Sequence, residues 1–226
     1  MIGTIVNTFS IILGGLLGLI FRGKLPEKLQ KIVMQGISLA VLLIGLEMAF
    51  EIKKTDDILI VIFSLVIGGI IGELLELKNR LDSIGNRIKN KIKSKNDFFI
   101  KGFVQTSLIY CVGAMAIMGA IQDGINNDPS ILFTKSMLDG TTAVAFAATF
   151  GLGVLFSAIP VFIYQGSITI LAAWAQQLLT ETVIADLTAT GGLLILAIGL
   201  NMLEVSKIKI ANLLPSLLVV IIIASF

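Results

Sequence analysis

The stretch Ile44-Gly45-Leu46-Glu47-Met48 returns near the end of the chain as Ile198-Gly199-Leu200-Asn201-Met202. Each copy sits in a longer matching context. Gly36-Ile37-Ser38-Leu39 stands before the first as Thr190-Gly191-Gly192-Leu193 stands before the second, and a short charged loop and another apolar run follow both. Further upstream, Phe9-Ser10-Ile11-Ile12-Leu13-Gly14-Gly15 parallels Gly166-Ser167-Ile168-Thr169-Ile170-Leu171-Ala172. In a membrane chain a duplication of this kind points to a working site where the copies meet.

Composition sets the class. Apolar residues make up 56% of the chain and charged residues 14%, and the apolar residues lie in long unbroken runs, which excludes a water-soluble domain. Crossing a hydrocarbon core of about 30 Å takes roughly 20 apolar residues. Eight runs qualify, near 2–21, 32–50, 57–76, 101–121, 138–158, 160–178, 188–203 and 210–226, so the expected fold is an all-α polytopic membrane bundle. The fifth and sixth runs share a stretch from Thr141 to Thr180 without a charge. As one helix, that stretch would be about 60 Å long at about 1.5 Å per residue, so it must fold back. Ser157-Ala158-Ile159-Pro160 is the expected break, because proline removes a helix hydrogen bond and biases its predecessor away from helix. A re-entrant half-helix plus one span is the alternative.

Charge gives an independent test of the count, since Lys and Arg collect in short cytoplasmic loops. With eight spans and both termini outside, every cation falls inside except Lys53, Lys54 and Lys135. Spans 1–3 then relate to spans 6–8 as an inverted repeat. The corresponding segments are 1–77 and 160–226, with a basic linker at 78–100 and an inserted helix pair with a polar outer loop at 101–159. In the linker Leu77, Leu81, Ile84, Ile88 and Ile92 form an apolar stripe opposite Arg80, Arg87, Lys89, Lys91, Lys93 and Lys95. That is the pattern of a helix lying against anionic lipid headgroups. Without an aromatic platform or recognition motif, the charge does not indicate nucleic acid.

The first apolar run has no basic region before it and no small-residue cleavage site, so it reads as a retained helix, not a secretory signal. The lone Cys111 lies in an apolar run and reads as packing, and the chain contains no histidine. There is no nucleotide loop, no nucleophile with a base and no metal-ligand cluster, which argues against an enzyme and against any cofactor. Chemistry is left to carboxylates, amides, hydroxyls and backbone.

Those groups crowd into Gln122-Asp123-Gly124 and, beyond Asn126, Asn127 and Asp128, into Lys135-Ser136-Met137-Leu138-Asp139-Gly140-Thr141-Thr142. Lys135 and Asp139 are four apart, within pairing distance on a helix. Asp123 and Asp139 are expected to bind a coupling cation or cationic substrate, with Lys135 neutralising or gating Asp139 and Gln122, Ser136, Thr141 and Thr142 beside them. The bland alternative is an ordinary outer loop in which Asp139 or Ser136 caps the fifth helix. Asn7, Ser10, Gln165 and Ser167 are candidate neutral ligands. Glu47 and Asn201, matched by the repeat, rank behind them, because neutral groups in spans often serve only to hold helices together. Gly14, Gly15 and Gly18, and Gly68, Gly69 and Gly72, mark helices that can pack closely.

The opening Met1-Ile2-Gly3-Thr4-Ile5-Val6-Asn7, the Gly-Gly of the first span, Gln122-Asp123-Gly124, Lys135-Ser136-x-x-Asp139-Gly140 and Gln165-Gly166 together resemble the YqgA/YdfK-like bacterial inner-membrane proteins, a family of unknown function. The resemblance covers essentially the whole chain and implies a multi-pass protein of the bacterial plasma membrane with transport activity of unassigned substrate. The residues and the resemblance lead to one expectation, a small secondary transporter or channel-like permease for an ion or small polar solute. The competing expectation is a scaffold that binds lipid or a partner without transport. A chain of 226 residues is small for a transporter, which leaves room for a homo-oligomer.

Overall fold

A computed structural model describes residues 1–22, 27–52, 55–80, 83 and 98–225. Among them all regular structure is helical. The elements are α1 (Ile2–Phe21), α2 (Glu27–Ala49), α3 (Thr55–Leu74), α4 (Phe99–Cys111), α5 (Ala114–Ile125), α6 (Ser130–Phe150), α7 (Gly153–Phe156), α8 (Ala158–Ile170), α9 (Ala172–Leu178), α10 (Glu181–Met202), α11 (Ile210–Leu213) and α12 (Ser216–Ala224). Five stretches are long and apolar enough to cross a membrane: Ile2–Phe21, Lys31–Ala49, Asp57–Leu74, Gly153–Ile170 and Glu181–Met202. The α4–α5 pair passes the same test as a single span bent by 59°, and Ile210–Ala224 is a shorter apolar helix. The basic segment 78–100 lies outside the described residues apart from 78–80, 83 and 98–100.

Packing groups the chain into two compact units, residues 1–34 with 85–177, and residues 35–84 with 178–226. In the first unit α1 is apolar outward and small or polar inward. Ile5, Phe9, Leu13, Leu16, Leu17 and Ile20 are exposed, whereas Gly3, Thr4, Asn7, Gly14, Gly15 and Gly18 are buried. A helix bathed in hydrocarbon gains nothing by hiding its large apolar side chains, so small residues are spent where backbones meet. Gly3 faces Leu132, Gly14 faces the Gly140 carbonyl and Ala143, and Gly18 faces the Val144 carbonyl and Ala147. Numbers rise together along both helices, so α1 and α6 run parallel. Against α8 the order reverses, with Thr4 beside Thr169 and Asn7 beside Gln165.

The chain therefore turns back between α6 and α8, but not at Ser157–Pro160. The reversal lies at Gly151, whose φ of 77° and ψ of −146° belong to a region that residues with a Cβ avoid. Pro160 sits in the first turn of α8, where its missing N–H has no intrahelical partner to lose. A second break, not anticipated from the sequence, lies between α4 and α5 at Gly113 with φ 144°. The polar outer loop is also shorter than expected. Residues from Ser130 onward are already helix, and the helix expected over 138–158 runs instead from Ser130 to Phe150.

In the second unit the repeated phrases meet each other. A Cβ on Gly45 would lie 2.9 Å from Leu196 Cγ, and one on Gly199 would lie 2.7 Å from Leu42 Cγ. Residue numbers ascend along α2 as they descend along α10, so the two helices are antiparallel. Gly68 and Gly72 of α3 likewise admit Ser216 and Asn212. α10 begins at Glu181, capped by the Thr180 hydroxyl accepting from the Val183 N–H, seven residues before the expected start. Asp186, expected in an outer loop, is consequently a fully buried residue of this helix.

Helix contact predicts a sharp contrast between glycines. Gly14→Val drives two methyl groups into α6 and should cost about 1–3 kcal/mol. Gly36→Ala, whose added Cβ meets nothing within 4 Å, should leave stability unchanged or slightly raised. Denaturant titration in detergent micelles reads the difference.

Candidate functional site

In the first unit, four side chains from three helices converge on one point. Lys135 and Asp139 lie one helical turn apart on α6, and the Lys135 ammonium donates to both carboxylate oxygens, at 2.9 Å to Oδ1 and 2.7 Å to Oδ2. Each of these side chains is 8% exposed. Gly140, next in sequence, lets α1 come close enough that a Cβ there would touch Ser10 Cβ at 3.2 Å. That approach brings Asn7 into reach. Its Nδ2 donates to Asp139 Oδ2 at 3.0 Å and to Gln165 Oε1, on α8, at 3.2 Å. Asn7 and Gln165 are both fully buried.

The network leaves two polar atoms over. Asn7 Oδ1 and Gln165 Nε2 are buried and have no hydrogen-bond partner. Their orientation follows from their neighbours. Turning Asn7 over would set its oxygen against the Asp139 carboxylate, and turning Gln165 over would set nitrogen against nitrogen. An unpartnered acceptor and an unpartnered donor therefore lie beside a buried ion pair, an arrangement that costs stability unless another group completes it.

Around this core lie the expected Thr142 and, not expected from the sequence, Tyr110. The Lys135 ammonium lies 6.0 Å from the centre of the Tyr110 ring, and the Thr142 hydroxyl donates to the Tyr110 hydroxyl at 3.4 Å. The Thr4 and Thr169 hydroxyls are 3.3 Å apart. Tyr110 lies in the last turn of α4, just before the Gly113 bend, and a tyrosine inside an apolar run beside a glycine break is the available signal.

The remaining candidates are engaged elsewhere. Asp123 is buried at the end of α5, where it accepts from the Gly3 N–H at 3.1 Å and lies 2.8 Å from the Met1 nitrogen. Its negative charge thus faces the positive end of α1. Gln122 donates to Asp128. Asp128, not Asp139 or Ser136, braces the start of α6, accepting from the Ser130 N–H and hydroxyl. Ser136, Thr141 and Ser167 donate back to carbonyls on their own helices. Ser10 packs on Gly140. In the second unit Glu47 is exposed, and Asn201 closes the following loop by bonding Ser206 and both backbone groups of Ile208. Glu73 there binds Lys209 and Asn212. Among the described residues no three His, Cys, Asp or Glu side chains gather as a metal site would require.

The family model described as protein of unknown function (DUF554) matches residues 2–225, and the chain belongs to that family. It is 34% identical over 220 residues to the uncharacterized membrane protein YdfK of Bacillus subtilis strain 168, covering 97% of this chain and 93% of the relative. It is 32% identical over 223 residues to the uncharacterized protein YqgA of Escherichia coli K12, covering 96% and 94% respectively. No solved structure matches significantly. Kinship with a membrane protein and several long apolar helices make this a membrane protein.

Two outcomes follow from the geometry. Lys135→Met alone strands a buried carboxylate and should cost about 3–5 kcal/mol, whereas Lys135→Met with Asp139→Leu should recover most of that loss, as read from a double-mutant cycle of unfolding in micelles. At the short loop, hydrogen bonds from Ser130 and then Gln122 hold the Asp128 carboxyl below its usual range. A lowered folded value means that its bracing of α6 is complete above the unfolded pKa and is lost as pH falls through the folded one. The protection factor of the Ser130 amide, its exchange rate corrected for the intrinsic pH dependence, should fall in acid, and Asp128→Asn should flatten that change.

Proposed function

We propose that this member of the DUF554 family is a small secondary transporter or channel-like permease, moving an ion or small polar solute through the first unit at the Lys135–Asp139 site. The buried ion pair carries the reading. Ionisable groups inside a membrane bundle are expensive and default to a pathway or relay, and this pair is joined by amides from two other helices.

Two further observations support it. Discontinuous helices are the usual setting of solute sites in transporters, and the bend between α4 and α5 stands beside Tyr110. The reciprocal contacts of Gly45 with Leu196 and Gly199 with Leu42 are what an inverted repeat demands, because each residue occupies the same place in its copy. Parallel α1 and α6, with α8 opposed, agree with the alternation expected of the first, fifth and sixth runs. Both relatives come from bacteria, which supports a plasma-membrane location. The reading assigns the chain no enzymatic step and no cofactor, and gives the basic segment 78–100 the task of meeting anionic headgroups.

Flux into proteoliposomes tests it. Wild-type protein should pass at least one labelled solute from a panel of monovalent ions, amines, carboxylates and amino acids. The Lys135→Met/Asp139→Leu protein should keep its fold and lose at least tenfold of that flux. Protein-independent leakage across the whole panel would leave the scaffold reading in its place.

A further inference from the structure

We infer that the solute taken at this site is a small zwitterion, carrying an ammonium and a carboxylate on one molecule; the inference rests on the transport reading above. It starts from charge. Lys135 and Asp139 neutralise each other in a buried setting, with both oxygens of the carboxylate occupied by the same ammonium. A lone cation that displaces Lys135 from Asp139 leaves an unpaired ammonium, so its binding must expel a proton from Lys135. A lone anion drawn to Lys135 leaves an unpaired carboxylate and must bring a proton to Asp139. A zwitterion does neither. Its ammonium replaces Lys135 on Asp139, its carboxylate replaces Asp139 on Lys135, and the net charge of the site stays at zero with no proton moved.

The unpartnered amide atoms fit the same molecule. Asn7 Oδ1 is a buried acceptor without a partner on the residue that already bonds Asp139, and it can take one of a solute ammonium's three N–H groups. Gln165 Nε2 is a donor with no partner, and it serves a carboxylate oxygen. A cation uses only the first of these atoms and an anion only the second. In the absence of solute, Lys135 and Asp139 occupy each other as the two halves of the ligand would.

Calorimetric titration of the full chain in lipid nanodiscs separates these cases. The probes are glycine, β-alanine and γ-aminobutyrate, with methylammonium and acetate as the single-charge halves, each titrated in two buffers of different protonation enthalpy. The expected result is binding of at least one zwitterion with no net proton exchanged and at least tenfold weaker binding of both halves. Gln165→Met and Asn7→Leu should each weaken the zwitterion about tenfold, the scale of a lost hydrogen bond to a charged group. The wild-type proton count keeps the question decidable if either variant fails to fold. Methylammonium binding with one proton released, or acetate binding with one taken up, overturns the zwitterion and leaves the transport reading standing. No binding by any of the five probes also overturns it, and the flux panel then decides the transport reading separately.

Discussion

The close approach of α1 and α6 governs the first unit. Gly14, Gly18 and Gly140 remove the side chains that would hold the two backbones apart, and parallel packing follows from their spacing along both helices. The amide contacts of Asn7 in the site depend on that distance. Asn7 is short, and its amide meets Asp139 only because α1 lies against the Gly140 turn. A bilayer offers no water to an unsatisfied group, so the same approach that creates the site also makes the ion pair tolerable. The glycines and the charges are one device.

Much of this was legible from residues alone. Membrane class, the first three spans and the pairing of Lys135 with Asp139 follow from run length and from the four-residue spacing. The convergence of Asn7 and Gln165 on that pair was anticipated as a list of neutral ligands, though the list also carried Ser167 and Thr141, which turn back onto their own helices. Spacing cannot distinguish a hydroxyl facing a site from one facing its own carbonyl. The turn at Gly151 was misread because proline announces a break louder than glycine does. Pro160 is harmless in a first turn, whereas the backbone angles of Gly151 leave it little competition. Charge alone puts Asp186 and Lys135 in outer loops, whereas both are buried on helices.

The repeated phrase behaves differently from the site residues. Its glycines make the crossing of α2 with α10, and its polar residues diverge: Glu47 is exposed while Asn201 binds the loop that follows it. The matched glycines thus share a contact surface, while the matched polar positions do not share partners. A matched position in a repeat is evidence of shared packing before it is evidence of shared chemistry.

One consequence follows from Lys135 and Asp139 riding on the same helix. Across a polarised bilayer, the electrical work on a moving element is set by its net charge. α6 carries its cation and anion together within one turn, and Ser130–Phe150 contains no other ionisable side chain. Displacement of this helix across a polarised bilayer would therefore move no net side-chain charge, and a transmembrane voltage would do no work on it.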